Sequence, residues 1–274
     1  MTMRLLHMGL LCAFAGGVAA CDQGTEGTPF EPEPLAAIRF VNAVPDTMGM
    51  DYRFVDFVTN AGMFGATFRT RQEQYRPFGV GNHTIKVFLS STDPAIASQV
   101  VTEVTQDFAD GGRYTFVHSG FMRSGSSPVA AATILEDSPP TPGAGKVGLR
   151  VLNLGAGIGN LDIFVGTTAT AGQTPSAAAT WTGVAYGAAT PYVELDTAGL
   201  RVAATAAGTT TPLVVANTAA PTGSPASGGA DAIAGVRMAG SVLTMVVLPR
   251  SVAGSMAASF TTPAFGFLND RRPN

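Results

Sequence analysis

The chain has 274 residues, of which 46% are hydrophobic and only 13% charged, and its formal net charge is −3. A balance this close to neutral, without a basic stripe, excludes nucleic acid as the expected partner. With 33 Gly, 18 Pro and an abundance of Ala, Thr and Val, the composition favours short strands and turns over helices.

Residues 1–20, MTMRLLHMGLLCAFAGGVAA, place Arg4 beside the amino terminus, then an apolar run from Met8 to Phe14, then small residues. That order is expected of a secretory signal peptide, and the run is too short to span a bilayer, which takes roughly 20 residues. Cys21 follows Val18-Ala19-Ala20 directly. Val-Ala-Ala-Cys resembles the lipobox of bacterial lipoproteins. The resemblance implies that Cys21 becomes the first mature residue and carries a diacylglycerol on its sulfur. The only other cysteine, Cys12, would leave with the signal, so no disulfide is expected. Residues 21–35 are polar and rich in Gly, Pro and Glu, which suits a flexible tether between membrane and folded domain. The expected location is the bacterial cell envelope, on its periplasmic or cell-surface side, with the membrane as a partner through the lipid anchor.

Past the tether the chain repeats itself. IRFVNAVP at 38–45 matches LRVLNLGA at 149–156, and MDYRFV at 50–55 matches LDIFVG at 161–166, both at an offset of 111. ILEDSPP at 134–140 matches FLNDRRP at 267–273, at an offset of 133. The 22 additional residues of the second copy are expected around residues 220–241, a low-complexity stretch. Apolar residues alternate with period two at Ile38-Phe40, Ile85-Val87-Leu89 and Tyr114-Phe116, and 241–248 reads as a buried strand. Turn signals at Pro45-Asp46, Gly79 to Asn82, Asp110 to Gly112 and Thr197 to Gly199 separate the strands. The expected fold is all-β: two tandem immunoglobulin-like antiparallel β-sandwich domains, at 36–138 and 147–274, joined by a Pro/Gly linker at 139–146.

The set Arg39-Phe40-Val41-Asn42, Pro45-Asp46, Asp51, Gly81 to Val87 and Leu135-Glu136-Asp137 resembles tandem copies of the domain of unknown function 4397. The second copy departs from that pattern, with Gly155-Ala156-Gly157 in place of Val44-Pro45-Asp46. The resemblance implies a fold and an envelope location, and no chemistry.

GAGIG at 155–159 invites a dinucleotide reading, but a strand follows where a helix is required. PPTPGAGKV at 139–147 lacks the Ser or Thr of a phosphate loop. His118 and Ser119 are adjacent, and in a strand neighbours face opposite sides. His83 and His118 therefore read as structural. No His/Cys cluster suggests zinc, and Asp46, Asp51 and Asp56 are better explained by turns than by calcium. No metal or other cofactor is expected. The surface stretch with most to offer is FRTRQEQYRPF at 68–78, where Arg69, Arg71, Tyr75 and Arg76 interleave with Phe68 and Phe78. Its counterpart, WTGVAYGAATPY at 181–192, keeps aromatics in Trp181, Tyr186 and Tyr192 and loses the Arg. Arg69, Arg71, Tyr75, Arg76, Trp181 and Tyr186 are the ligand-binding candidates, since Arg and aromatic side chains are enriched at interfaces.

These readings describe a non-catalytic, lipid-anchored structural or adhesive module with an envelope polysaccharide or protein as its ligand. The alternative is a carbohydrate-binding surface protein using the aromatic/Arg loop, and an envelope hydrolase comes third. No enzyme activity is expected.

Overall fold

A computed structural model describes residues 32–167, 173–175, 178–214 and 218–273. Cys21, the signal peptide and most of the tether lie outside the described residues. The first sandwich comprises β1 (Leu35–Ala43), β2 (Met50–Phe54), β3 (Met63–Ala66), β4 (Arg76–Gly79), β5 (Gly81–Leu89), β6 (Val100–Phe108), β7 (Arg113–Ser119) and β8 (Ala131–Glu136). The second comprises β9 (Lys146–Asn153), β10 (Leu161–Gly166), β11 (Trp181–Val184), β12 (Val193–Asp196), β13 (Arg201–Ala206), β14 (Thr218–Ala219), β15 (Val242–Leu248) and β16 (Ala264–Arg271). One four-residue helix, Pro94–Ala97, interrupts this pattern, with the Asp93 carboxylate accepting from the Ala95 N–H at its start.

Each sandwich is two four-stranded sheets, and the strand order is the same in both. Sheets β4-β1-β7-β8 and β3-β2-β5-β6 correspond to β12-β9-β15-β16 and β11-β10-β13-β14. Pairing is antiparallel except at the centre of one sheet in each sandwich, where β1 runs parallel to β7 and β9 parallel to β15.

The period-two pattern explains the packing. Ile38 and Phe40 of β1, with Tyr114 and Phe116 of β7, point into the first core beside Tyr52, Ile85 and Val87. Leu149 and Val151 of β9, with Leu243, Met245 and Val247 of β15, point into the second beside Leu161, Ile163 and Val202. The intervening residues do not face water. Val41, Ala43 and Val117 meet Leu152, Leu154, Val246, Leu248 and Leu268 in a third buried cluster between the two sandwiches. The sheets that carry β1 and β9 are therefore covered on both faces, which is why 241–248 reads as a continuous apolar run.

The insertions of the second copy are spread out rather than gathered at 220–241. Residues that make the same bonds sit 111 apart at Arg39 and Arg150, 117 at Tyr75 and Tyr192, 129 at Thr115 and Thr244, and 133 at Asp137 and Asp270. The largest step, between 117 and 129, covers the loop region before β15. The smaller steps lengthen the turns around β3/β11 and after β7/β15. A match of the chain ends alone cannot locate them.

Candidate functional site

Strand alternation turns Arg39 and Arg150 away from their own cores and toward each other's sandwich. Both are buried, Arg39 completely. A buried guanidinium needs a carboxylate partner and hydrogen bonds to be tolerated. Arg39 donates to Asp270 Oδ1 at 2.5 Å, to Thr115 Oγ1 at 2.8 Å and more loosely to Asp137 Oδ2 at 3.4 Å. Arg150 donates to Asp137 Oδ1 and, at 2.7 Å, to Thr244 Oγ1. Thr115 and Tyr75 both donate to Asp137 Oδ2, at 2.5 and 2.8 Å. Thr244 and Tyr192 donate to Asp270 Oδ2 in the same way, at 2.5 and 2.9 Å. The phenol rings complete the symmetry: Arg39 lies over Tyr75 at 4.2 Å and Arg150 over Tyr192 at 4.6 Å. Each arginine thus pairs across the joint with the aspartate of the other copy. Two positive and two negative charges cancel inside the protein.

The electrostatics follow from that arrangement. Burial alone would lower the pKa of both arginines, but the fields of Asp137 and Asp270 outweigh it and hold them above the ordinary value. Burial first, and the adjoining carboxylates after it, push Tyr75 and Tyr192 up, so both phenols remain donors.

The motif residues of each copy have local work as well. The Asn42 amide donates to the Ala66 carbonyl and its oxygen accepts from the Val44 N–H, at 2.9 and 3.1 Å. Asn153 does the same toward Val184 and Gly155, at 2.9 and 3.0 Å. Asp51 and Asp162 each accept a backbone N–H at 2.7 Å, from Gly65 and Gly183, whose positive φ of 58° and 63° bends the next strand.

The six candidate ligand-binding residues are largely drawn into the joint. Tyr75 is part of the ion-pair network. Arg69 donates to the Pro249 and Thr262 carbonyls of the second sandwich, at 2.6 and 2.5 Å, and lies over Phe260 at 4.7 Å. Arg71 reaches the Phe267 carbonyl at 3.4 Å. The Tyr186 hydroxyl lies 2.8 Å from that of Ser119, again across the joint. Trp181 packs half-buried on the second core. Arg76 is exposed, its guanidinium 3.4 Å from the Asn60 carbonyl. These residues do not converge on one surface.

The remaining candidates are dispersed. His118 is buried in the first sandwich with Nδ1 3.4 Å from the Tyr52 hydroxyl, and burial lowers its pKa to about 4. His83 lies 3.1 Å from Asp56, on another part of that sandwich. Asp46 accepts the N–H groups of Met122 and Arg123. Among the described residues no group of three or more His, Cys, Asp or Glu is placed to hold a metal ion. GAGIG runs through positive φ at Gly157 and Gly159 directly into β10, a strand. No helix among the described residues is long and apolar enough to cross a membrane.

Asp137 and Asp270 are the residues that sequence reasoning undervalued. Their matched surroundings, at an offset of 133, were the available signal.

The architecture is that of an all-β protein whose paired sandwiches are held by a buried charge network. Residues 36–164 match the model of a family described as a domain of unknown function (DUF4397). Among curated proteins none matches the chain.

Proposed function

We propose that the chain is a non-catalytic, lipid-anchored structural or binding module of the bacterial cell envelope, made of two copies of the DUF4397 domain on a flexible tether. The observation that carries this reading is Val18-Ala19-Ala20-Cys21, set between an apolar run and a polar stretch rich in Pro and Gly. Two acyl chains on such a cysteine give stable membrane attachment where one gives only marginal binding. The identical strand order and the equivalent bonds of Arg39/Arg150, Asn42/Asn153 and Asp51/Asp162 support a second DUF4397 copy beyond residue 164.

The absence of catalysis is supported by where the reactive groups are spent. Ser119 faces Tyr186 at the joint whereas His118 faces Tyr52 within the first sandwich, so the adjacent pair is not a nucleophile and its base. The buried carboxylates are fully engaged with donors of the chain itself.

The test is metabolic labelling with radioactive palmitate followed by membrane fractionation. The parent chain takes up label and sediments with membranes; Cys21→Ser takes up none and becomes soluble or accumulates as precursor. A Cys21→Ser chain that labels and fractionates like the parent overturns the reading.

A further inference from the structure

The two sandwiches are closely equivalent inside the joint and differ at its rim. Arg271 and Arg272, at the end of β16, lie beside Arg113 of β7 and form with Gln74, Tyr75 and Asn269 a cleft of about 540 Å³. The equivalent residues by sequence offset are Ser138, Pro139 and Val242, which carry no charge, and Ser138 and Pro139 line an adjoining cleft. Three of the chain's 16 basic residues therefore meet in one concavity of a protein whose net charge is −3.

Two of these arginines have no carboxylate partner among the described residues. Arg113 donates to the Asp270 carbonyl at 2.8 Å, and Arg271 to the Thr141 hydroxyl at 2.8 Å. Arg272 pairs with Asp231 and donates to Gln74 at 2.6 Å. The Asp270 carboxylate beneath them is turned inward and held by Arg39, Thr244 and Tyr192, so it does not neutralise the cleft from outside.

The cleft continues on both sides. A neighbouring one of about 400 Å³ shares Arg113 and Arg271 and adds Glu136, and another of about 320 Å³ shares Arg272. The clefts thus join at the arginines into one groove, with the amides of Gln74 and Asn269 and the carboxylates of Asp110, Glu136 and Asp231 around them. Guanidinium forks match carboxylate and phosphate oxygens in pairs, and flanking amides and carboxylates match hydroxyl groups. The third cleft adds the apolar side chains of Pro225, Ala226, Ala232 and Met238, while the central one is lined by arginine and amide groups.

We propose that this groove binds an oligosaccharide bearing an oxyanion, either carboxylate or phosphate, held between Arg113 and Arg271. This deepens the reading of the chain as an envelope binding module, and it can fail independently of the lipid anchor because the measurement does not involve Cys21.

The experiment is calorimetric titration of the full chain in detergent, at low ionic strength, with trigalacturonic acid, glucose 6-phosphate, neutral maltotriose and hexaglutamate. At least one acidic sugar binds, and maltotriose and hexaglutamate bind at least about tenfold more weakly. Binding of the uronate alone assigns a carboxylate source, and binding of the phosphate alone assigns a phosphate source; both uphold the proposal. Arg113→Gln with Arg271→Gln removes both charged contacts and lowers the affinity at least about tenfold. Arg271→Gln alone gives a smaller loss and keeps the Arg113 bond to the joint, so an effect on folding is separable from an effect on binding. Equal binding of maltotriose, binding of hexaglutamate as tight as that of the sugars, no binding of either acidic sugar, or unchanged affinity in the variants each overturns it.

Discussion

The two sandwiches share a frame and differ in what fills it. Phe40, Tyr52, Tyr114 and Phe116 of the first core stand where Val151, Ile163, Leu243 and Met245 stand in the second. The first core is a stack of rings, with Phe40 and Phe116 centred 5.3 Å apart and Phe108 and Tyr114 4.8 Å apart. The fully buried residues of the second are aliphatic, with Trp181, Phe265 and Phe267 packed at its edge. Its outer sheet is also slighter, because the two-residue β14 takes the place of the nine-residue β6. Against this divergence the four main bonds of each half of the charge network are preserved, and only the loose contact of Arg39 with Asp137 lacks a counterpart among the described bonds. A core tolerates exchange of one apolar set for another provided the volume is filled. A buried guanidinium tolerates almost no change in its partners. The polar joint, more than the cores, is where the two halves are alike.

The strongest way to break that equivalence is to remove one carboxylate. Asp137→Ala leaves Arg150 without its partner and weakens the support of Arg39, and stability should fall by about 3–5 kcal/mol, the usual cost of an uncompensated buried charge. For a chain of this size the melting temperature then drops by about 10 °C. Asp270→Ala should cost the same within about 1 kcal/mol, because its donors are the equivalent ones. Arg150→Met combined with Asp137→Ala should cost less than the sum of the two single changes, since both charges leave together. Urea unfolding measures all four. Loss in one aspartate variant and not in the other would show that the symmetry of bonds is not a symmetry of energies.

A smaller effect separates the two halves by pH. His118 has Val247 as its counterpart in the second copy, from the registers Asn42↔His118 and Asn153↔Val247. Burial keeps His118 neutral in the folded protein down to about pH 4, whereas in the unfolded chain it takes a proton near its ordinary value of 6.5. A folded pKa below the unfolded one means that its contribution is intact above pH 6.5 and is lost as the pH falls toward 4. The loss amounts to at most about 3 kcal/mol over that window. His118→Val should flatten this part of the stability profile, measured as the difference between parent and variant in urea midpoints at pH 7 and pH 4.5. An unchanged slope would place the acid sensitivity elsewhere.

Much of this was legible in the sequence, and the exceptions have physical causes. The all-β class followed from period-two alternation at Ile38-Phe40 and Ile85-Val87, and the likeness of the two sandwiches from Arg39/Arg150 and Asn42/Asn153. Strand alternation also placed Arg39 opposite Ile38 and Phe40. What it does not contain is whether the opposite face is wet. Period two records that successive side chains part company, and Val41, Leu152 and Val246 are apolar on the second face for a reason that becomes visible only when the sandwiches meet. The same limit applies to the stretch from Phe68 to Phe78. Arginines interleaved with aromatics mark an interface, and the sequence cannot say whether the other side of that interface belongs to a ligand or to the same chain. The rim cleft was less legible still, since Arg113 and Arg271 are 158 positions apart and stand on β7 and β16, strands of different sandwiches that meet only in the folded chain.

The finest contrast between the copies is a single backbone angle. Arg69 has φ 71° and Gly187 has φ 79°, and the N–H of each donates to the carbonyl of the repeat asparagine, Asn42 at 2.9 Å and Asn153 at 2.7 Å. Glycine adopts that region freely, whereas a residue with a Cβ pays about 1–2 kcal/mol for it. Arg69 is held there by its guanidinium, which reaches the Pro249 and Thr262 carbonyls and the ring of Phe260. Arg69→Gly relieves the strain and loses the bridge. The two terms oppose each other, and because this arginine is only half-buried its bonds are partly screened, so the net loss should be no more than about 1 kcal/mol. Arg69→Ala loses the bridge and keeps the strain, and should be less stable than Arg69→Gly by about 1 kcal/mol. In an ordinary loop the order is reversed, because glycine has more freedom to lose on folding. Melting curves of the two variants decide the matter: alanine above glycine would mean that the left-handed turn at residue 69 is relaxed once the arginine is gone, and that the turn of the second copy at Gly187 is not its true equivalent.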